Sequence, residues 1–177
     1  MSDNKIEYIP YYQPYIDLST SAKSITESLE KNLKTVVDFY ENIPSQKLDF
    51  AYEKGKWTIK EILLHIIDTE RIFTYRALRI ARQDQTELAG YEQDDYVVTG
   101  KASNRTLESL LNEYKIVRKN SIVLFETFSD KELKTIGKAS GAPVSVNAIG
   151  LILTGHENHH NNVIAERYLQ VKPKFSK

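Results

Sequence analysis

At 177 residues the chain falls within the size of one domain, residues 1–177, and can bury a full core without covalent staples. Its 24 lysines and arginines balance 24 aspartates and glutamates, so no long-range field draws it to nucleic acid or an anionic membrane. The absence of cysteine excludes disulfides, thiolate metal sites and cysteine nucleophiles, so any bound metal must take nitrogen or oxygen ligands.

The opening MSDNKIEYIPYYQP is polar, lacks the apolar region and small-residue site of a signal peptide, and is expected to run extended past Pro10 and Pro14. A cytoplasmic protein is expected. The longest apolar stretch, Ala148 to Leu153, is far short of the roughly 18 residues that a membrane span needs, so a soluble chain is expected.

From about Ser19 to Glu41, Ile25, Leu29, Leu33, Val36, Val37 and Tyr40 recur at helical spacing, and Ile43-Pro44 ends this first helix. The second is expected from Thr58 to about Arg82. Thr58 and Glu61 form a T-x-x-E capping box, Trp57 and Ile62 a hydrophobic staple, and His65 shares the inward face with Ile62, Ile66, Thr69 and Phe73. Residues 83–104 show no sustained period and read as a long connection, suited to the rim of a site. Along the second helix Arg71, Arg76, Arg79 and Arg82 alternate with acids and read as solvated ion pairs rather than as an anion stripe.

A third helix is expected from about Arg105 to Thr127, with Arg118 intruding on its apolar stripe. A guanidinium there needs a carboxylate, and Asp94 or Asp95 of the long connection is the expected partner. Ser129 can cap a short turn, and Gly137, Gly141 and Pro143 mark a second irregular crossing. A last helix, capped by Ser145, runs to about Tyr168 with Ile149, Ile152, His156, His160 and Val163 on one face. No strand is expected. Four long helices with two long links predict an all-α fold, a four-helix bundle with crossover connections, an architecture that builds metal sites from facing helices.

The four histidines are not scattered: His65 lies within the second helix, and the other three fall in His156-Glu157-Asn158-His159-His160. Imidazoles four residues apart share a helix face and can chelate one ion, and a third from a facing helix completes the set. His159, three residues from His156, is an alternative to His160, and the favoured reading places it at the rim. Asp68 could orient His65 through its second ring nitrogen. The string HENHH satisfies H-E-x-x-H, which makes Glu157 a candidate catalytic base, but the further ligand positions of a metalloprotease are missing. The residues alone leave two readings open, core histidines or a divalent-metal site.

Three segments, GKWTIKEILLHIIDTERIFTYRALRIAR (55–82), GYEQDDY (90–96) and GHENHHNNVIAERYL (155–169), together resemble the DinB/YfiT-like superfamily. The resemblance implies a helical bundle holding zinc or nickel on His65, His156 and His160. It further implies a metal-dependent enzyme acting on a small molecule, a hydrolase or a transferase using a small thiol, with a non-catalytic metal-binding stress protein as the alternative. Neither nucleic acid nor a membrane is an expected partner; a homodimer is a possible assembly.

Overall fold

The strongest local signal, the capping box, opens the longest helix. In the computed structural model, which describes residues 6–175, Glu61 N–H donates to Thr58 Oγ1 at 3.2 Å while Thr58 N–H donates to the Glu61 carboxylate at 2.7 Å. Two of the orphan donors of a helix start are thereby satisfied. The described helices are α1 (Gln13–Asp17), α2 (Ile25–Glu41), α3 (Ile59–Ala81), α4 (Gln93–Gly100), α5 (Leu107–Glu126), α6 (Asp130–Leu133) and α7 (Val146–Val163). The last continues as a π-helical turn, Ile164–Leu169. No described helix is long and apolar enough to cross a membrane.

The four long helices form a bundle in which α3 packs on α5 and α7, and α2 packs on the same two. The consecutive helices α2 and α3 therefore lie on a diagonal, as do α5 and α7, which accounts for the long links 42–58 and 127–145 that join them.

Three expectations are corrected. The N-terminal segment is not extended past its prolines: a 3₁₀ turn, Pro10–Tyr12, leads into α1, and Pro14 is tolerated because a first-turn residue has no intrahelical N–H bond to lose. The connection after α3 contains α4, whose first turn carries Asp94 and Asp95 at the positive end of the helix dipole. The irregular crossing is a β-hairpin, β1 (Ile136–Ala139) paired antiparallel with β2 (Ala142–Ser145). Its two-residue turn places Ser140 at φ 52° and Gly141 at φ 79°, the left-handed pair that suits a tight hairpin. The hairpin anchors the connection: Leu88 N–H donates to Lys138 O at 3.0 Å, and Ser140 N–H donates to Leu88 O at 2.9 Å.

The core divides into two apolar lobes. One gathers Leu29, Phe73, Ile80, Phe125, Ile149 and Ile152, the other Val36, Ile59, Leu63, Leu110, Tyr114 and Ile164. Between them each long helix contributes buried polar groups: Asn32 from α2, Thr69, Glu70 and Thr74 from α3, Arg118 and Ser121 from α5, and Thr154, Glu157 and Asn158 from α7. Arg118 is the centre of this layer, and its partners are neither Asp94 nor Asp95. Its Nε and Nη2 donate to the two Glu70 oxygens at 2.8 and 2.9 Å, and Nη1 and Nη2 donate to the Glu157 carboxylate at 3.2 and 3.1 Å. Asn32 Nδ2 adds a bond to Glu157 at 2.7 Å, so all four long helices meet in one network. The helical stripe of α5 announced a buried cation, but carboxylates that are local in space and distant in sequence satisfy it.

Candidate metal centre

His65 reaches the bundle interior from α3, and His156 and His160 reach it from successive turns of α7. His156 Nε2 stands 3.1 Å from His65 Nε2 and 3.1 Å from His160 Nε2, and one ligand atom from each of the three lies within 4.8 Å of the others. Two nitrogens bound to one tetrahedral ion at about 2.05 Å each would stand about 3.3 Å apart, close to these separations. The three donors thus fit a single divalent ion.

Protonation favours the same use. Burial pushes the His65 imidazole down to about 4, against a smaller upward pull from Asp94. Burial holds His156 and His160 well below the usual histidine range, and the neighbouring imidazoles add to the effect. Near neutral pH all three rings are uncharged and present lone pairs, the form a metal requires.

The surroundings are aromatic. The Trp57 ring lies 4.8 Å from that of His65 and 6.3 Å from that of His160 between centroids, and the Tyr15 ring lies 5.2 Å from that of His156. Trp57 is held in place because the Tyr168 hydroxyl, carried on the π-helical turn, donates to its carbonyl. Both aromatics flank the cluster, although the sequence marks Trp57 only as a staple and Tyr15 only as part of a segment expected to be extended. Tyr15 arrives because Gly155 lets α1 press onto α7, where a Cβ would come within 1.7 Å of Tyr15 O.

The remaining candidates divide. His159 is half-buried against Tyr15 and His160 and stands outside the convergent set. Asp68 makes no bond to His65 and faces Arg71 at 3.5 Å. Glu157 is corrected as a catalytic base: although next to His156 in sequence, it is fully buried in the Arg118 network, and its oxygens are taken by Arg118 and Asn32. Helical geometry turns consecutive residues about 100° apart, which sends the two neighbours into different layers.

Two cavities reach the cluster. One, of about 350 Å³, contains His156 with Tyr12, Tyr15, Thr69, Arg76 and Tyr91 in its lining; the other, of about 330 Å³, contains His160 with Trp57, Asp94, His159 and Tyr168. Of the α3 arginines, Arg71 pairs with Glu113 at 2.6 Å, Arg79 with Asp84, and Arg82 with Glu132 at 2.8 Å, as ion-paired side chains should. Arg76 departs from that expectation, being buried and without a carboxylate partner among the described residues.

The model of the DinB superfamily matches residues 28–164. No curated protein sequence matches the chain. Among solved structures, YfiT from Bacillus subtilis, described as a probable metal-dependent hydrolase with an unusual four-helix bundle topology, is similar with a TM-score of 0.65 and 18% identity. The likeness covers 93% of this chain and 90% of that one, and at such identity it speaks to the fold.

Proposed function

Since the chain belongs to the DinB superfamily, we propose that it is a metal-dependent enzyme acting on a small molecule, with His65, His156 and His160 as the ligands of a zinc or nickel ion. The observation that carries this reading is the convergence of three imidazoles, His65 and His156 buried and His160 half-buried, with one cavity lined by His156 and another by His160. Such an ion supplies Lewis acidity, polarising an oxygen or sulfur group of the substrate. The chain's own part is to hold the imidazoles in place and to shield them with Trp57 and Tyr15. It also provides a proton acceptor. With Glu157 committed to Arg118, Asp94 takes that role, because it lines the His160 cavity and has no ion-pair partner among the described residues.

Hydrolysis is the first expectation, in keeping with the description of YfiT. The two cavities support a second, transfer of a small thiol, in which each reactant occupies one side. Nitrogen-rich sites accept both zinc and nickel, so the choice between them follows geometry and supply.

Elemental analysis of tag-free protein purified without chelators tests the centre. About one equivalent of metal in the wild type, lost in His65→Ala, His156→Ala and His160→Ala, is expected. Metal-dependent turnover of ester, amide or thiol-acceptor substrates, reduced in Asp94→Asn without loss of metal, would establish the enzyme. No uptake after reconstitution would overturn the reading, and metal binding without turnover would favour a non-catalytic metal-binding protein.

A further inference from the structure

We infer that Arg76 is an anion-binding residue, and that the molecule admitted beside His156 carries a carboxylate seated on its guanidinium. The inference deepens the proposed function and, in calling that molecule a substrate, rests on it.

Arg76 is only 3% exposed, and its Nη2 donates to Ala89 O at 2.8 Å and to Ser140 Oγ at 2.9 Å. Both acceptors are neutral. They orient the guanidinium without neutralising it, and they leave the Nε and Nη1 donors with no acceptor among the described residues. A desolvated cation without a counter-charge is costly, and the fold's other buried arginine, Arg118, has two carboxylates. The contrast within one bundle marks Arg76 as a cation with no counter-charge among the described residues, and so as one open to an external anion.

The position is built. The hairpin and the connection, pinned together through Leu88, deliver Ser140 and Ala89 to the guanidinium from two segments far apart in sequence. Phe73 and Tyr91 flank it, with their ring centroids 5.1 and 6.0 Å from its Cζ. Arg76 also lies on the same face of α3 as His65, Thr69 and Phe73, and helical side chains lean toward the N-terminus, here toward the histidines. One cavity of about 350 Å³ is lined by both Arg76 and His156. The acid in its lining, Glu92, is exposed and forms no ion pair with Arg76.

The chemistry narrows the anion. A single planar cation between aromatic rings balances a monoanion, and a carboxylate is one at neutral pH. A phosphate monoester carries close to two charges and calls for more donors than this site has left. Tyrosine walls suit an apolar or aromatic body joined to that group.

Binding of phenylacetate and of its neutral isostere phenylacetamide to chelator-treated protein tests this without any metal to attract the carboxylate. Wild type should bind phenylacetate at least about tenfold more tightly, the worth of one charge-assisted hydrogen bond. Arg76→Met should bind the two alike. Arg76→Gln stands in if Met disturbs folding, and in the wild type the Phe73 and Tyr91 ring resonances should shift with phenylacetate. Equal affinities in the wild type, a preference that survives loss of the guanidinium, or tighter binding of phenyl phosphate would each overturn the inference. Failure of the metal reading would register separately, as absent metal uptake by the wild type.

Discussion

The histidines illustrate how a residue's environment fixes its chemistry before any ligand arrives. In an unfolded chain each ring titrates near 6.5, whereas burial pushes His65 down to about 4 and holds the other two well below their usual range. Below pH 6.5 the unfolded state therefore takes up protons that the folded state refuses. Stability present above that pH is lost as pH falls toward 4, at about 1.4 kcal/mol per pH unit for each histidine involved. Urea denaturation of metal-free protein at pH 7 and pH 5 should show this decline, and His156→Gln should make it shallower. A decline of the same steepness in that variant would place its origin elsewhere. The convergence of His65, His156 and His160 was legible in the sequence, because i,i+4 spacing and an inward stripe are local properties. The fate of Glu157 and the solitude of Arg76 were not: both depend on which carboxylates lie nearby in space, and the spacing of charges along one helix carries no record of that.

At the scale of elements, the long helices were legible because their apolar stripes repeat over four turns or more and two of their caps are marked by Thr58 and Ser145. The elements that escaped are short. Helix α4 buries only Val97 among its eight residues, so it carries no stripe to read. The hairpin has four-residue strands and a Ser-Gly turn, and its Gly and Pro residues read equally well as a loop. These minor elements nevertheless build the cavity beside His156. Helix α1, which brings Tyr15 there, depends on the bare Cα of Gly155. A methyl group at that position would meet a backbone carbonyl, which cannot rotate aside as a side chain can. Gly155→Ala should therefore cost about 1–3 kcal/mol in a denaturant titration and weaken phenylacetate binding. Unchanged stability would show that α1 is free to shift.

For the whole molecule, the dominant feature is the polar layer between the two apolar lobes. Arg118 lies at its centre, its desolvation outweighed by Glu157 and Glu70, which hold its ionisation well above the ordinary arginine value. Arg118→Met removes the cation and leaves two carboxylates buried without one, so a loss of about 3–5 kcal/mol is expected. Combining it with Glu70→Gln and Glu157→Gln should restore part of that loss, since the charges left behind, more than the missing contact, account for the cost. Urea midpoints of the single and triple variants decide the matter; equal destabilisation in both would assign the effect to packing.

The same layer also governs alignment. Apolar side chains pack acceptably in more than one register, and two leucine-rich helices displaced by one turn, about 5.4 Å, still bury oil against oil. A bundle with Arg118 at mid-length has no such latitude, because a helix slipped by one turn would leave the guanidinium facing a lobe of aliphatic side chains. Misaligned pairings are thus rejected as they form, by a charge left without a partner rather than by a clash. The two turns of α7 that carry His156 and His160 are then brought opposite His65 by the same test that admits the native arrangement.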